Sequence, residues 1–278
     1  MANSFYWVDS AANTRMIYVA GTTTAQLVLE GSEHGEGRIG KAYVEKTPSR
    51  MANQYRAWIY DQRIYGFTIA LNAASAAALE TAKTQWSDWH DAELGEGHIK
   101  RITVGGLTRC LDCIPLALGG KGWQDDGPSY SEAVQEYEAA NPWWRSESAS
   151  TANSTFNNAV PVNISCANTG EIDSWPEIVI TGVINTPVLT NSDGDSITVN
   201  KTTANADDTL TINCRPNGTY RRYAYYQVHG AGTRIACQVS SGSKWITLPT
   251  GTNNLAIVAT SGTATIVVSW YLYYRSLC

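Results

Sequence analysis

From residue 160 to the C-terminus the chain holds no run with helical periodicity. Apolar residues there recur mostly at every second position, in short runs. These are Val160–Cys166, Glu177–Thr181, Ser196–Asn200, Thr209–Cys214, Tyr223–Val228, Lys244–Leu248, Asn254–Ala259 and Thr263–Tyr274. A period of two sends alternate side chains to opposite faces of a strand. Between the runs stand NSDGDS, RPNGTY, VSSGS and LPTGTN, whose Gly, Asn, Asp and Pro residues favour turns. About eight short strands at this spacing predict a β-sandwich. The last run, TATIVVSWYLYYRS, is long and aromatic and is a candidate central strand.

The N-terminal half mixes two periods. Phe5–Val8, Arg15–Val19 and Gln26–Leu29 are short strand candidates. Tyr55, Ala57 and Ile59 alternate with Arg56, Trp58 and Tyr60, and Tyr65–Leu71 is a second apolar run, so these too read as strands. Asn72 then precedes AASAAALETAKTQWSDWHDAEL. Asn caps helices well and alanine is the best helix former, which predicts a helix starting after Asn72. Leu79, Ala82, Trp86 and Trp89 share one helical face, with Lys83, Ser87 and Asp88 off it. Gly95 and Gly97 are the expected stop. Ile99–Val104 and Leu107–Ile114 flank Gly105-Gly106 and predict a hairpin, and Trp123–Ala140 reads as one further strand. Strands, helix, hairpin and strand make an α+β domain in a mainly β chain. Ser146–Ala159 is rich in Ser, Thr and Asn and reads as a linker. The expected division is therefore 1–147 and 148–278.

Composition narrows the function. A net charge of −5 does not suit a nucleic-acid binder, which needs an excess of Lys and Arg over the phosphates. No apolar stretch approaches a membrane span. The start, MANSFYWVDSAANTR, lacks the basic and apolar regions of an export signal, so the six cysteines are expected to be reduced thiols. Only 16% of residues are charged, and Trp 10 and Tyr 15 stand against Phe 3. Aromatics with a polar handle suit interfaces and wet β surfaces.

No convergent catalytic set is visible. Cys110 and Cys113 form a C-x-x-C, but in a strand positions i and i+3 point to opposite faces, so no zinc site is expected. His34, His90, His98 and His229 are scattered, with His34 and His98 beside Gly-Glu-Gly turns, as in solvated loops. Asp88, Asp91, Glu93 and Glu96 cluster at a helix end, where solvated carboxylates are ordinary. Asp193-Gly194-Asp195 lacks the later bidentate Glu of a calcium loop and reads as a hairpin turn. Asn153, Asn163, Asn200 and Asn217 fit N-x-[ST], matches that arise by chance in so Thr- and Asn-rich a chain. Neither a cofactor nor a metal is expected. Trp175 and Trp245 are candidate sugar-stacking rings, whereas Trp270 alternates with Val268 and Leu272 as a core residue would.

Gly31–Gln54, GSEHGEGRIGKAYVEKTPSRMANQ, is polar and without periodicity. Loops this long inside compact domains are usually functional or disordered. It reads either as a mobile loop or as an arm that packs on a partner. Arg38, Lys41, Lys46 and Arg50 give it charge partners in an acidic protein, and Tyr43 and Val44 are candidate anchors for strand addition to a neighbour.

The ordered landmarks RAWIYDQRIYGFTIALN, AASAAALETAKTQWSDWHDA, IKRITVGGLTRCLDCIPLAL and NPWWRSES, then VPVNISCANTG, SWPEIVITG, VINTPVLTN, DTLTIN, LPTGTNNLAIV and TATIVVSWYLYYRS, resemble the distal tail protein (Dit) family of long-tailed bacteriophages, a siphovirus-type tail component. The resemblance runs from Tyr55 to Cys278 and is carried by order and spacing rather than by one motif. It implies an N-terminal tail-tube-like ring domain with one helix and a C-terminal galectin-like β-sandwich. It also implies a homo-oligomer, a hexameric ring, between the tail-tube protein and the baseplate, tail-tip or fibre proteins. The location implied is the virion tail, assembled in the bacterial cytoplasm, and the role is structural, not enzymatic. Two other readings compete with it. A carbohydrate-binding module for host recognition requires open aromatic platforms, and a glycosidase or peptidase requires a cleft with close carboxylates.

Overall fold

The computed structural model describes residues 4–18, 26–28, 41–45, 54–59, 63–103, 105–116, 118–158, 160–216, 222–228 and 233–275. The chain forms two compact units, Met1–Trp144 and Arg145–Cys278.

The first unit is built from β1 (Ser4–Val8), β2 (Thr14–Tyr18), β3 (Gln26–Val28), β4 (Lys41–Glu45), β5 (Gln54–Ile59), β6 (Arg63–Asn72), α1 (Ala76–Trp89), β7 (Gly97–Ile102), β8 (Thr108–Pro115), β9 (Gly119–Asp125) and β10 (Tyr130–Ala139). The main sheet runs β2-β1-β7-β8-β10-β6-β3, with β9 also on β10 and every pairing in it antiparallel. Its spine is the β6–β10 pair, in register from Tyr130 opposite Asn72 to Ala139 opposite Arg63. Along β10 burial alternates without a break, with Ser131, Ala133, Gln135, Tyr137 and Ala139 buried. The sheet curls back on itself. Phe5 on β1 meets Phe67 on β6, four strands away in the order, with ring centroids 5.2 Å apart. Strands β4 and β5 pair with each other as a separate two-stranded ribbon.

The helix starts later than its sequence suggests. Asn72 ends β6, paired with Tyr130, and Ser75 is the cap, its Oγ accepting from the Ala78 N–H at 3.3 Å. Both residues cap well, and the ladder claims the first. The buried face is Leu79, Lys83 and Trp86, continued by His90. The helical face expected from the sequence leaves out Lys83. It is buried because its ammonium bridges Glu80 at 2.9 Å and Asp125 of β9 at 2.5 Å. Gly97 is not a helix stop but a strand residue. A Cβ there would come within 2.7 Å of the Trp7 ring, so only glycine lets β1 and β7 approach. The run Trp123–Ala140 is two strands rather than one, because Asp126-Gly127 makes a turn with Gly127 at φ +90°. The β7–β8 hairpin forms as expected, in register from Gly97 opposite Cys113 to Ile102 opposite Thr108. Its loop exceeds two residues, Thr103 N–H donating to Leu107 O and Gly106 N–H to Thr103 O.

A short strand, β11 (Trp144–Ser146), stands where the two units divide. The second unit contains β12 (Ser150–Asn157), β13 (Val162–Asn168), β14 (Glu177–Ile184), β15 (Val188–Thr190), β16 (Ser196–Thr198), β17 (Thr209–Asn213), β18 (Tyr223–Gln227), β19 (Arg234–Ala236), β20 (Gly251–Val258), β21 (Gly262–Trp270) and β22 (Tyr273–Tyr274). One sheet runs β12-β21-β14-β17-β18-β19 and the other β13-β20-β15-β16. The core they enclose is aliphatic, with Ile164, Ile178, Ile180, Ile184, Leu189, Ile197, Leu210, Ile212, Leu255, Ile257 and Ile266 all buried. Strand β21 is interior as expected, flanked by β12 and β14, and it ends at Trp270 rather than running on to Tyr274.

Two further corrections apply here. The stretch read as a linker is largely strand β12, hydrogen-bonded along its length from Ser150 opposite Trp270 to Asn157 opposite Thr263. Thr151, Asn153, Thr155 and Asn157 are exposed, while Ser150, Ala152 and Ser154 share the inner face with Phe156, the strand's one deep anchor. Lys244–Leu248 forms no strand. Leu248 makes only an isolated bridge to Ser174.

Candidate interaction surfaces

The residues that could carry chemistry do not converge. Cys110 and Cys113 are both buried in β8, opposite Lys100 and Gly97 of β7. Among the described residues no group of three or more His, Cys, Asp or Glu side chains could hold a metal. Cys166 and Cys214 are buried in the sandwich, where loss of water pushes their thiols up to about 11 and about 12. Asp88, Asp91 and Glu93 are exposed, and Asp91 caps the turn Ala92–Leu94 by accepting from the Glu93 N–H at 2.9 Å. Asp193-Gly194-Asp195 is the turn between β15 and β16. Asn191 Oδ1 accepts from the Asp193 and Asp195 N–H groups, and Lys244 pairs with Asp195 at 3.0 Å.

Two polar groups are buried for structural reasons. Burial alone would raise the Asp208 carboxyl, but the Tyr226 hydroxyl at 2.8 Å and the Asn205 and Ala204 N–H groups outweigh it and hold it well below the usual carboxylate range. His90, unremarkable in the sequence, stacks on Trp86 at 4.1 Å, with Trp7 and Tyr137 on its other sides. Its Nδ1 lies 2.9 Å from the Trp86 carbonyl, which makes it the N–H of a neutral ring. Burial drops its pKa to about 4. Its Nε2 and the buried Tyr137 hydroxyl have no hydrogen-bond partner among the described residues. His98, expected in a solvated loop, lies within β7 opposite Asp112. His34 and His229 fall outside the described residues.

The candidate sugar-stacking rings each keep part of their surface exposed. Trp175 and Trp245 are half-buried and pack on the sandwich core, Trp175 also meeting the edge of Tyr273 at 5.2 Å. Trp270 is buried, as its alternation implied.

The arm is described in part. Lys41, Tyr43 and Val44 lie on β4, which pairs with β5 of its own chain, and Arg38, Lys46 and Arg50 fall outside the described residues. The main sheet of the same unit has a distinctive outer face. Between the buried positions of β10 stand Tyr130, Glu132, Val134, Glu136 and Glu138, all half-buried. Glu138 sits opposite Ile64 of β6 on one side and Ile114 of β8 on the other, and these isoleucines are 42% and 40% exposed. Glu132 accepts a short hydrogen bond from the Tyr130 hydroxyl, which pushes the phenol up to about 12.

Comparison with known proteins adds to this picture. Residues 169–274 match the family model of the siphovirus-type tail component, C-terminal domain. The chain is similar in fold to the Dit protein of phage SPP1, described as a paradigm of the hub adsorption apparatus in phages infecting Gram-positive hosts. The TM-score is 0.53 and the identity 11%, covering 98% of this chain and 100% of that one. It is also similar to a chain of the phage P2 baseplate in its activated conformation with Ca, at a TM-score of 0.53 and 9% identity over 96% of this chain and 98% of that one. A chain of the p2 baseplate with Sr gives 0.53 and 8%, with the same coverage. No curated protein matches the sequence.

Proposed function

We propose that this chain is a structural subunit of a siphovirus-type tail tip, a ring-forming hub that joins the tail tube to the baseplate or tail fibres. The observation that carries this reading is the match of residues 169–274 to the tail-component family. The fold likeness to a hub protein and to baseplate chains over nearly the whole chain supports it. In this reading the segment 1–147 is the tail-tube-like ring domain, and 148–278 is a galectin-like sandwich that meets the baseplate or fibres. The ring has six copies and resides in the virion tail after assembly in the host cytoplasm. The arm, through Arg38, Lys41, Tyr43, Val44, Lys46 and Arg50, reaches a neighbouring copy. The protein works through surfaces, not turnover.

Low charge and many Tyr and Trp residues suit a chain whose surfaces become contacts, because interfaces deplete charge and enrich aromatics. Head-to-tail contacts that close give a ring. A two-stranded ribbon is marginal alone in water, so β4–β5 is suited to seating on another surface. The carbohydrate-binding alternative rested on Trp175 and Trp245, whose rings pack on the core.

The test is light scattering across a concentration series. A closed ring gives a mass about six times 30.2 kDa, and deleting Glu33–Arg50 lowers it. A monomer at every concentration counts against self-assembly, and a glycan array on the same samples then decides whether sugar binding replaces it.

A further inference from the structure

We propose that the outer face of the first unit's sheet, around Glu132, Glu136 and Glu138 on β10, receives the β4–β5 arm of a second copy of this chain. The inference rests on the ring reading and names the surface at which neighbours meet.

The face carries the two features a docked basic ribbon requires. Three carboxylates lie along one side of a single strand, Glu136 and Glu138 at adjacent outward positions and Glu132 two outward positions before Glu136. Neither Glu136 nor Glu138 makes an ion pair among the described residues. Repulsion between them is therefore left to solvent in the single chain, and cations from a partner relieve it. The second feature is apolar. Ile64, Glu138 and Ile114 form one row across β6, β10 and β8, so the negative group is flanked by two exposed isoleucines, with Val134 further along β10. Exposed apolar groups clustered around charge mark a contact surface rather than a solvated face.

The occupant follows from complementarity. From Arg38 to Arg50 the arm holds four basic residues, Arg38, Lys41, Lys46 and Arg50, against one acid, Glu45. The chain as a whole is at −5, so a segment this basic is out of keeping with the rest. The strands of the arm also bring apolar residue types, Tyr43 and Val44 on β4 and Tyr55, Trp58 and Ile59 on β5. Among the described residues β4 and β5 pair only with each other. Opposite charge with apolar contact beside it sets orientation and register at an interface.

The experiment combines isotope-labelled and unlabelled full-length protein while dissociated, lets them assemble together so that both labels enter each oligomer, and treats the product with a carbodiimide, which joins a lysine amine to a carboxylate only at direct contact. Mass spectrometry then reads mixed-label peptides. The expected products join Lys41 or Lys46 of one copy to Glu132, Glu136 or Glu138 of another. In parallel, E132K/E136K/E138K is expected to lower the light-scattering mass at least twofold, and adding R38E/K41E/K46E/R50E to restore it. Cross-links from the arm to other carboxylates, with the ring intact, overturn this surface and leave the ring standing. Same-label products alone show that the arm folds onto its own sheet, and they overturn the proposal. A monomer without mixed-label products overturns both it and the ring. If the lysine variant fails to fold by circular dichroism, E132Q/E136Q/E138Q replaces it, and an unchanged mass there together with absent mixed-label products overturns the proposal.

Discussion

The two units solve the same problem, a β core, with different materials. The second fills its interior with Ile, Leu and Val on strictly alternating strands. The first is filled by Trp7, Tyr65, Phe67, Trp86, His90, Tyr137 and Trp144, rings that meet edge-on or stacked. Aliphatic side chains need no polar partner. Aromatics with N–H and O–H groups do, and some go unmet: Tyr137 Oη, Trp144 Nε1 and His90 Nε2 are buried without one among the described residues. Others are satisfied, as where Trp86 Nε1 donates to Gln135 Oε1 at 3.2 Å and Gln135 Nε2 to the Leu116 carbonyl at 2.7 Å. An unmet buried polar group costs about 1–3 kcal/mol. The first unit is therefore held by large contacts and weakened by several loose ends, and the second by many small contacts with one such loose end, the buried Trp270 Nε1.

The largest expected effect is Trp86→Ala, which removes a fully buried ring and costs the first unit about 3–5 kcal/mol. Ile266→Ala, the matched deletion in the sandwich, costs about 2–5 kcal/mol. Hydrogen exchange of the β6–β10 amides reads the first and of the β14–β21 amides the second. A near-zero result at Trp86 breaks the claim that the aromatic core carries this unit.

Acid comes next. His90 is favoured neutral in the fold, with its pKa lowered from 6.5 to about 4. Its contribution is complete above pH 6.5 and is lost as pH falls towards 4, where the unfolded chain binds a proton that the folded one refuses. The loss is about 3 kcal/mol at 1.36 kcal/mol per pKa unit. Asp208 responds to acid in the same direction but at lower pH. Its folded pKa is depressed, so its contribution persists above the ordinary 3.8 and fades only below it. Between pH 6.5 and 4 the first unit should lose protection and the Asp208 turn should not. His90→Phe should flatten that slope, and a slope unchanged by the substitution assigns the acid sensitivity elsewhere.

Smaller effects sharpen the account of α1. Ser75→Ala removes a long capping hydrogen bond and should cost about 0.5–1 kcal/mol by thermal melting. Asp125→Asn leaves Lys83 with Glu80 alone, and because Asp125 is 55% exposed the loss in thermal melting should be smaller than that of Ser75→Ala and shrink with salt. A larger loss makes the Lys83 bridge a main attachment of helix to sheet.

Strand periodicity was legible wherever side chains alternate between core and solvent. That covers β13, β14, β20 and β21, and the antiparallel fold they imply. It failed where both faces of a strand are polar. Ser150–Asn157 has a linker's composition, and only Phe156 betrays the strand. It also failed for short strands such as Val188–Thr190 and Arg234–Ala236, which hold too few residues to show a period. His90 was invisible because what makes it unusual is its neighbours, Trp7 on β1 and Tyr137 on β10, brought in by tertiary packing. The surface around Glu138 was half legible. The alternating glutamates of YSEAVQEYEA stand in the sequence, but Ile64 and Ile114 join them only through the pairing of three strands.

The central claim is that the chain acts by closing into a ring through its first unit, and electron microscopy of the purified assembly tests it most directly. Such a ring shows six copies around an axis, with Met1–Trp144 making the contacts between neighbours and the sandwich free of them. Single particles of one copy, or a ring joined through the sandwich, would contradict it.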